Sequence, residues 1–167
     1  LAETMDTAIF QNPMLLEVIR DLFLNLEANA MLYDSVVGDD ASGRVPALLV
    51  RKFINERKKE GGKDLINGYF VASGRHTKYE AIEEFLKSKK DVLGKALIVT
   101  EYISTGDSIR QLADVFIKLD IDFNVAALSI NKGVPYGLHD KVFYGEHGSL
   151  GLEMFYDKPR VSGVTKY

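Results

Sequence analysis

Cysteine is absent from the 167 residues. Disulfides, thiolate nucleophiles, Cys-ligated zinc and iron–sulfur clusters are excluded with it. A reducing compartment fits this composition, and the cytoplasm is the expected location. Histidine is scarce, with three residues and no His-x₃-His pair, so a zinc centre is not expected. No apolar run approaches the roughly 18 residues that span a bilayer. The best runs, Ala47–Val50 and Ala96–Val99, have the length of core elements. The N-terminus lacks a basic region followed by an apolar stretch and a small-residue cleavage site. The chain starts at Leu1, so residues before it are expected to have been removed, or the chain to belong to a longer polypeptide. A charge excess of one sign is also missing. Lys and Arg number 21 against 24 Asp and Glu, a net charge of −3, and the pI is near 5.7. Neither nucleic acid nor membrane is therefore an expected partner. The P-loop pattern and the Gly-x-Ser-x-Gly elbow are absent, and Gly145-x-x-Gly148-x-x-Gly151 lacks dinucleotide-binding spacing.

What is present is a globular balance, 46% hydrophobic and 27% charged, in a chain the size of one domain. Asn12-Pro13 is a good helix opening. Leu15, Val18, Ile19, Leu22, Phe23 and Leu26 repeat at helical spacing, so 13–30 reads as an amphipathic helix. Residues 32–37 read as a strand, and 38–44 as a polar loop bounded by Gly38 and Gly43. A helix with a basic outer face is expected from Pro46 to Lys59. A second strand reads at 66–72. Thr77 and Glu80 form a capping box for a helix to about Ser88. Lys95 to Thr100 is short, apolar and β-branched, as in a strand buried on both faces of a parallel sheet. A loop at 101–107, a helix at 108–119 and strands at 123–130 and 141–144 follow. From Gly145 on, the pattern is irregular.

Strands alternating with helices of this length imply an α/β fold with a mostly parallel, doubly wound sheet. Ligands bind such sheets beyond the carboxyl ends of the strands. Three loops lie there: 38–45, 73–77 and 101–107. The third is the most informative. An apolar strand delivers Glu101, and Ser104-Thr105-Gly106-Asp107-Ser108 then opens a helix. Backbone N–H groups at a helix start, flanked by hydroxyls, make a phosphate cradle. Gly106 permits close approach of an anion. The same Ser, Thr and Asp residues also suit an ordinary N-cap. Glu101 is placed to accept hydrogen bonds from sugar hydroxyls or to hold a metal.

This segment resembles the phosphoribosyl pyrophosphate (PRPP) binding motif of the type I phosphoribosyltransferases, in which an apolar run, two acids and two mostly apolar residues precede a Thr-Gly-x-Thr-like loop. The resemblance implies a phosphoribosyltransferase-like fold over one domain, residues 1–167. It would comprise an N-terminal helix at 13–30, a core at 32–145 with four or five strands, and a C-terminal extension at 146–167. It implies transfer of phosphoribosyl from PRPP to a small nitrogen base, with release of pyrophosphate. Mg²⁺ would enter with PRPP. Carried over, Glu101 is the ribose-binding and catalytic acid, with Thr100 beside it. Ser104, Thr105, Gly106, Asp107 and Ser108 form the 5′-phosphate loop. Val36 to Ala47 resembles the family's pyrophosphate loop, with Asp39, Ser42, Gly43 and Arg44 as its binding residues and Asp40 in the same turn. Arg75, His76 and Lys78 either close over the pyrophosphate or are a solvated helix start. Phe143, Tyr144, Phe155, Tyr156 and Tyr167 either form a hood over the base or pack against the sheet or a partner subunit, as in a homodimer. The N-terminal helix is an equal candidate for the hood.

The sequence departs from the family at three places. Thr100 replaces the first acid, a loss of a charge-assisted hydrogen bond worth roughly 1.5–3 kcal/mol. Asp107 puts a carboxylate into a loop made for phosphate. Ser104 lacks the carboxylate that 6-oxopurine enzymes carry there. These departures leave room for a non-catalytic PRPP- or nucleotide-sensing module on the same fold. A more distant alternative rests on Gly106-Asp107-Ser108-Ile109, which resembles the GDSL signature of hydrolases with Ser108 as nucleophile. That family's Asp-x-x-His is absent.

Overall fold

The computed structural model describes residues 13–39, 43–72, 79–147 and 164–166. Helix α1 (Pro13–Leu26) passes into a 3₁₀ turn (Glu27–Leu32). The order then runs β1 (Ser35–Asp39), α2 (Arg44–Glu60), β2 (Asn67–Val71), α3 (Tyr79–Leu93), β3 (Ala96–Ile103), α4 (Asp107–Lys118), β4 (Phe123–Ile130), β5 (Val142–His147) and β6 (Val164–Lys166). One six-stranded sheet has the order β5-β4-β3-β1-β2-β6. The first five strands are parallel to their neighbours, and β6 is antiparallel to β2.

The apolar runs explain why the middle strands lie at the centre. Val36, Val37, Leu97, Ile98 and Val99 are fully buried, because both sheet faces are covered by helices. On one face, Ile98, Val125 and Ala127 pack with Leu86 of α3 and Leu112 and Phe116 of α4. On the other, Val36, Leu97, Val99 and Ala126 pack with Leu15, Leu22 and Leu26 of α1 and Val50 and Ile54 of α2. Phe23 and Phe53 stack at 4.4 Å between α1 and α2. Gly145 allows α1 to lie directly on β5, since a Cβ there would strike the Val18 carbonyl.

Several sequence-based boundaries are corrected. The first helix stops at Leu26 and tightens into the 3₁₀ turn instead of running to 30. Strand β1 lies at 35–39 rather than 32–37, so Gly38 and Asp39 are strand residues. Helix α2 starts at Arg44, two residues before Pro46. Its first i→i−4 bond is Ala47 N–H to the Gly43 carbonyl, at 2.9 Å, so Pro46 stands where no N–H is needed. Helix α3 runs on to Leu93 rather than Ser88. Strand β3 continues to Ile103, pairing Thr100 with Ala127 and Tyr102 with Ser129, so Glu101 is in the sheet and not in the loop. The tail, read as irregular, contributes β6 as a sixth strand. Thr77 of the expected capping box lies outside the described residues.

Candidate functional site

The strand order reverses between β1 and β3. From β1 the chain moves to β2 on one side, and β3 and β4 build on the other. In open parallel sheets such a reversal point, at the carboxyl ends of the strands, is where ligands bind. Asp39 ends β1 and Gly43 caps α2. Beyond β3 lie Ser104, Thr105 and the start of α4. Gly43 packs directly on β3: a Cβ there would come within 2.7 Å of the Val99 carbonyl and also strike that of Asp39. Only glycine lets the backbone approach β3 this closely.

The turn into α4 is built on Gly106, at φ +85°. This left-handed conformation suits glycine, and Pro135 occupies the space a Cβ would need. The first intrahelical bond is Arg110 N–H to the Gly106 carbonyl, 2.8 Å. The N–H groups of Ser108 and Ile109 therefore lie ahead of the helix's own bonding ladder. Ser104, Thr105, Asp107 and Ser108 are exposed around them. The Thr105 hydroxyl donates to Asp107 Oδ2 at 2.9 Å, and the Asp107 N–H approaches Thr105 Oγ1 at 3.4 Å. One anion, the Asp107 carboxylate, already stands at this helix start, where the dipole favours it.

Glu101 lies upstream and is fully buried, with both carboxylate oxygens shielded from solvent. Thr100 and Asp39 are 3% exposed each. By strand alternation Thr100 shares the sheet face of Ile98, and Glu101 the face of Leu97 and Val99. Arg44 is half-buried in the first turn of α2, its guanidinium 4.9 Å from the centre of the Phe70 ring. The fold thus brings Asp39, Gly43, Arg44, Thr100, Glu101 and residues 104–108 to one edge of the sheet. Ser42 lies outside the described residues, as do Asp40, Arg75, His76, Lys78, Phe155, Tyr156 and Tyr167. Phe143 and Tyr144 are half-buried on β5.

One participant escaped the sequence reading. The loop after β4 folds back onto the turn at 104–108: Pro135 packs on Gly106, and the Arg110 guanidinium donates to the Tyr136 carbonyl. Tyr136 is left 85% exposed beside the turn. The Pro135-Tyr136-Gly137 turn signal between two strands was the cue available.

No family model matches the chain, and no curated protein matches it. Solved structures do. An orotate phosphoribosyltransferase from Aeropyrum pernix superposes with a TM-score of 0.51 at 12% identity, over 78% of this chain and 69% of that one. The chain has the phosphoribosyltransferase fold. The purine phosphoribosyltransferase from Pyrococcus horikoshii Ot3 aligns at 16% identity and a TM-score of 0.49, over 78% of this chain and 81% of its own. The Helicobacter pylori xanthine-guanine-hypoxanthine phosphoribosyltransferase gives 16% and 0.49, over 77% and 80%. Among the described residues no helix is long and apolar enough to cross a membrane.

Proposed function

We propose that the chain is a phosphoribosyltransferase-like protein that binds PRPP at the crevice between β1 and β3. The observation that carries this reading is the turn at 104–108. A left-handed glycine, exposed hydroxyls and a helix start converge at the switch point of this fold. The N–H groups of Ser108 and Ile109, with the hydroxyls of Ser104, Thr105 and Ser108, hold the 5′-phosphate. Arg44 and the Gly43 backbone face the pyrophosphate. A nitrogen base then displaces pyrophosphate at the anomeric carbon, which passes through an oxocarbenium-like state. The chain's own work is to orient the sugar and exclude water.

Asp39 and Glu101 supply hard carboxylate oxygens of the kind Mg²⁺ takes. Both are buried, so an ion at this edge would be held chiefly by the oxygens of PRPP. When bound, Mg²⁺ neutralises charge on the leaving pyrophosphate.

A second reading is a non-catalytic module that senses PRPP or a nucleotide. Two observations favour it: Glu101 is buried beneath the edge, and Asp107 already engages the Thr105 hydroxyl. The test is pyrophosphate release from PRPP and Mg²⁺ with a panel of purine and pyrimidine bases and orotate. Release with one base supports the enzyme. Binding of PRPP with no release on any base supports the sensor.

A further inference from the structure

The opposite, amino edge of the sheet holds a second cleft, of about 470 Å³. It lies between the 3₁₀ turn, the end of α2 and the segment leading into β2. Met31, Asp34, Lys58, Lys63, Asp64 and Leu65 line it. Lys58 is the unusual member. It is 6% exposed, and lysine is rarely this buried unless it is paired. Arg57, adjacent in the chain, takes Glu27 at 2.9 Å and Glu60 at 3.0 Å. Asp34 accepts the Lys95 N–H at 2.8 Å. Among the described residues Lys58 Nζ has no ion-pair or hydrogen-bond partner, and it is not among the enclosed polar atoms. Its methylenes are therefore buried while its ammonium opens into the cleft. The Lys63 N–H donates to the Lys58 carbonyl at 2.8 Å, which holds the backbone of Lys63 at the same end of the cleft.

We propose that this cleft binds a small organic monoanion, a carboxylate on a short apolar body. Lys58 supplies the charge partner, and Lys63 reinforces it. Met31 and Leu65 offer apolar contact, Leu65 being 62% exposed. Asp34 and Asp64 on the same walls repel polyanions, so phosphates and pyrophosphate are disfavoured. The site is separate from the crevice between β1 and β3, and α2 joins the two, with Arg44 in its first turn and Lys58 in its last.

The test is a titration of the ¹⁵N-labelled chain with isovalerate, followed by amide NMR. Saturable shifts are expected at Asp34, Lys58 and 62–66, and not at 104–108. Lys58→Met weakens binding at least tenfold and leaves the fold intact, because methionine keeps the buried apolar stem and removes only the ammonium that opens into the cleft. Lys58→Arg retains binding. Absence of saturable shifts overturns the proposal. So does unchanged binding in Lys58→Met, or displacement of isovalerate by equal concentrations of inorganic phosphate or pyrophosphate. Should Lys58→Met not fold, Lys63→Gln serves in its place: weaker binding supports the site, and unchanged binding overturns it.

Discussion

The Thr105 hydroxyl donates to the Asp107 carboxylate across 2.9 Å, so the turn that would cradle a phosphate carries its own anion. The carboxylate stabilises the start of α4 through the helix dipole and opposes a phosphate arriving at the same N–H groups. Like charges about 4 Å apart repel by about 1 kcal/mol in bulk water, and by more in partly buried surroundings. Asp107→Asn should therefore raise affinity for PRPP or a ribose 5-phosphate by at least about fivefold. It should also lower stability by about 0.5 kcal/mol. Calorimetry and thermal unfolding read the two effects, which have opposite signs. A loss of affinity would mean that Asp107 helps hold the ligand.

Gly106→Ala meets two obstacles at once. Its φ of +85° costs an alanine about 1–2 kcal/mol, and the new methyl group overlaps buried Pro135. The variant should melt lower and bind phosphate ligands more weakly. An unchanged melting temperature would show that the turn does not have this geometry.

Thr100 stands where the resembled family has an acid, but it is 3% exposed and paired with Ala127 of β4. An aspartate there buries a carboxylate. Thr100→Asp should destabilise the ligand-free protein by about 2–4 kcal/mol. PRPP with Mg²⁺ should then raise its melting temperature by more than it raises that of the natural chain. Equal ligand-induced shifts would place position 100 away from the ribose.

The Tyr33 phenol is buried and donates to Asn124 Oδ1 at 3.1 Å. Burial, reinforced by the Asp122 carboxylate, pushes its pKa well above the ordinary 10.0. The folded state thus keeps a proton that the unfolded state gives up. Stability from this group is complete below pH 10.0 and falls as pH rises beyond it. Tyr33→Phe should cost about 1 kcal/mol at neutral pH through the lost hydrogen bond, and should flatten the alkaline decline. Denaturant unfolding at several alkaline pH values checks both. An identical decline in the two proteins would contradict the assignment.

The alternation of strands and helices was legible because apolar periodicity changes between elements. The Ala96–Val99 run announces a strand covered on both faces. What lay hidden came from pairing between distant segments. Glu101 and Tyr102 look like the start of a polar loop, yet β4 runs alongside them and extends the ladder to Ile103. Burial of a glutamate in that extension has no local signal. Strand β6 is three residues long and exists through its pairing with β2, far away in sequence. Pro46 marked a helix start but not its first residue, because the N–H it lacks is unneeded anywhere in the first turn. At the candidate site, residues 104–108 were readable as a glycine-centred strand-to-helix turn. The return of Pro135 and Tyr136 onto that turn depends on tertiary packing.

The most direct measurement is a calorimetric titration of the chain with PRPP, with and without Mg²⁺, beside a Thr105→Ala, Ser108→Ala double variant. The account predicts Mg²⁺-dependent micromolar binding that weakens at least tenfold in the variant. No heat of binding at millimolar PRPP, or equal binding by the variant, would contradict it.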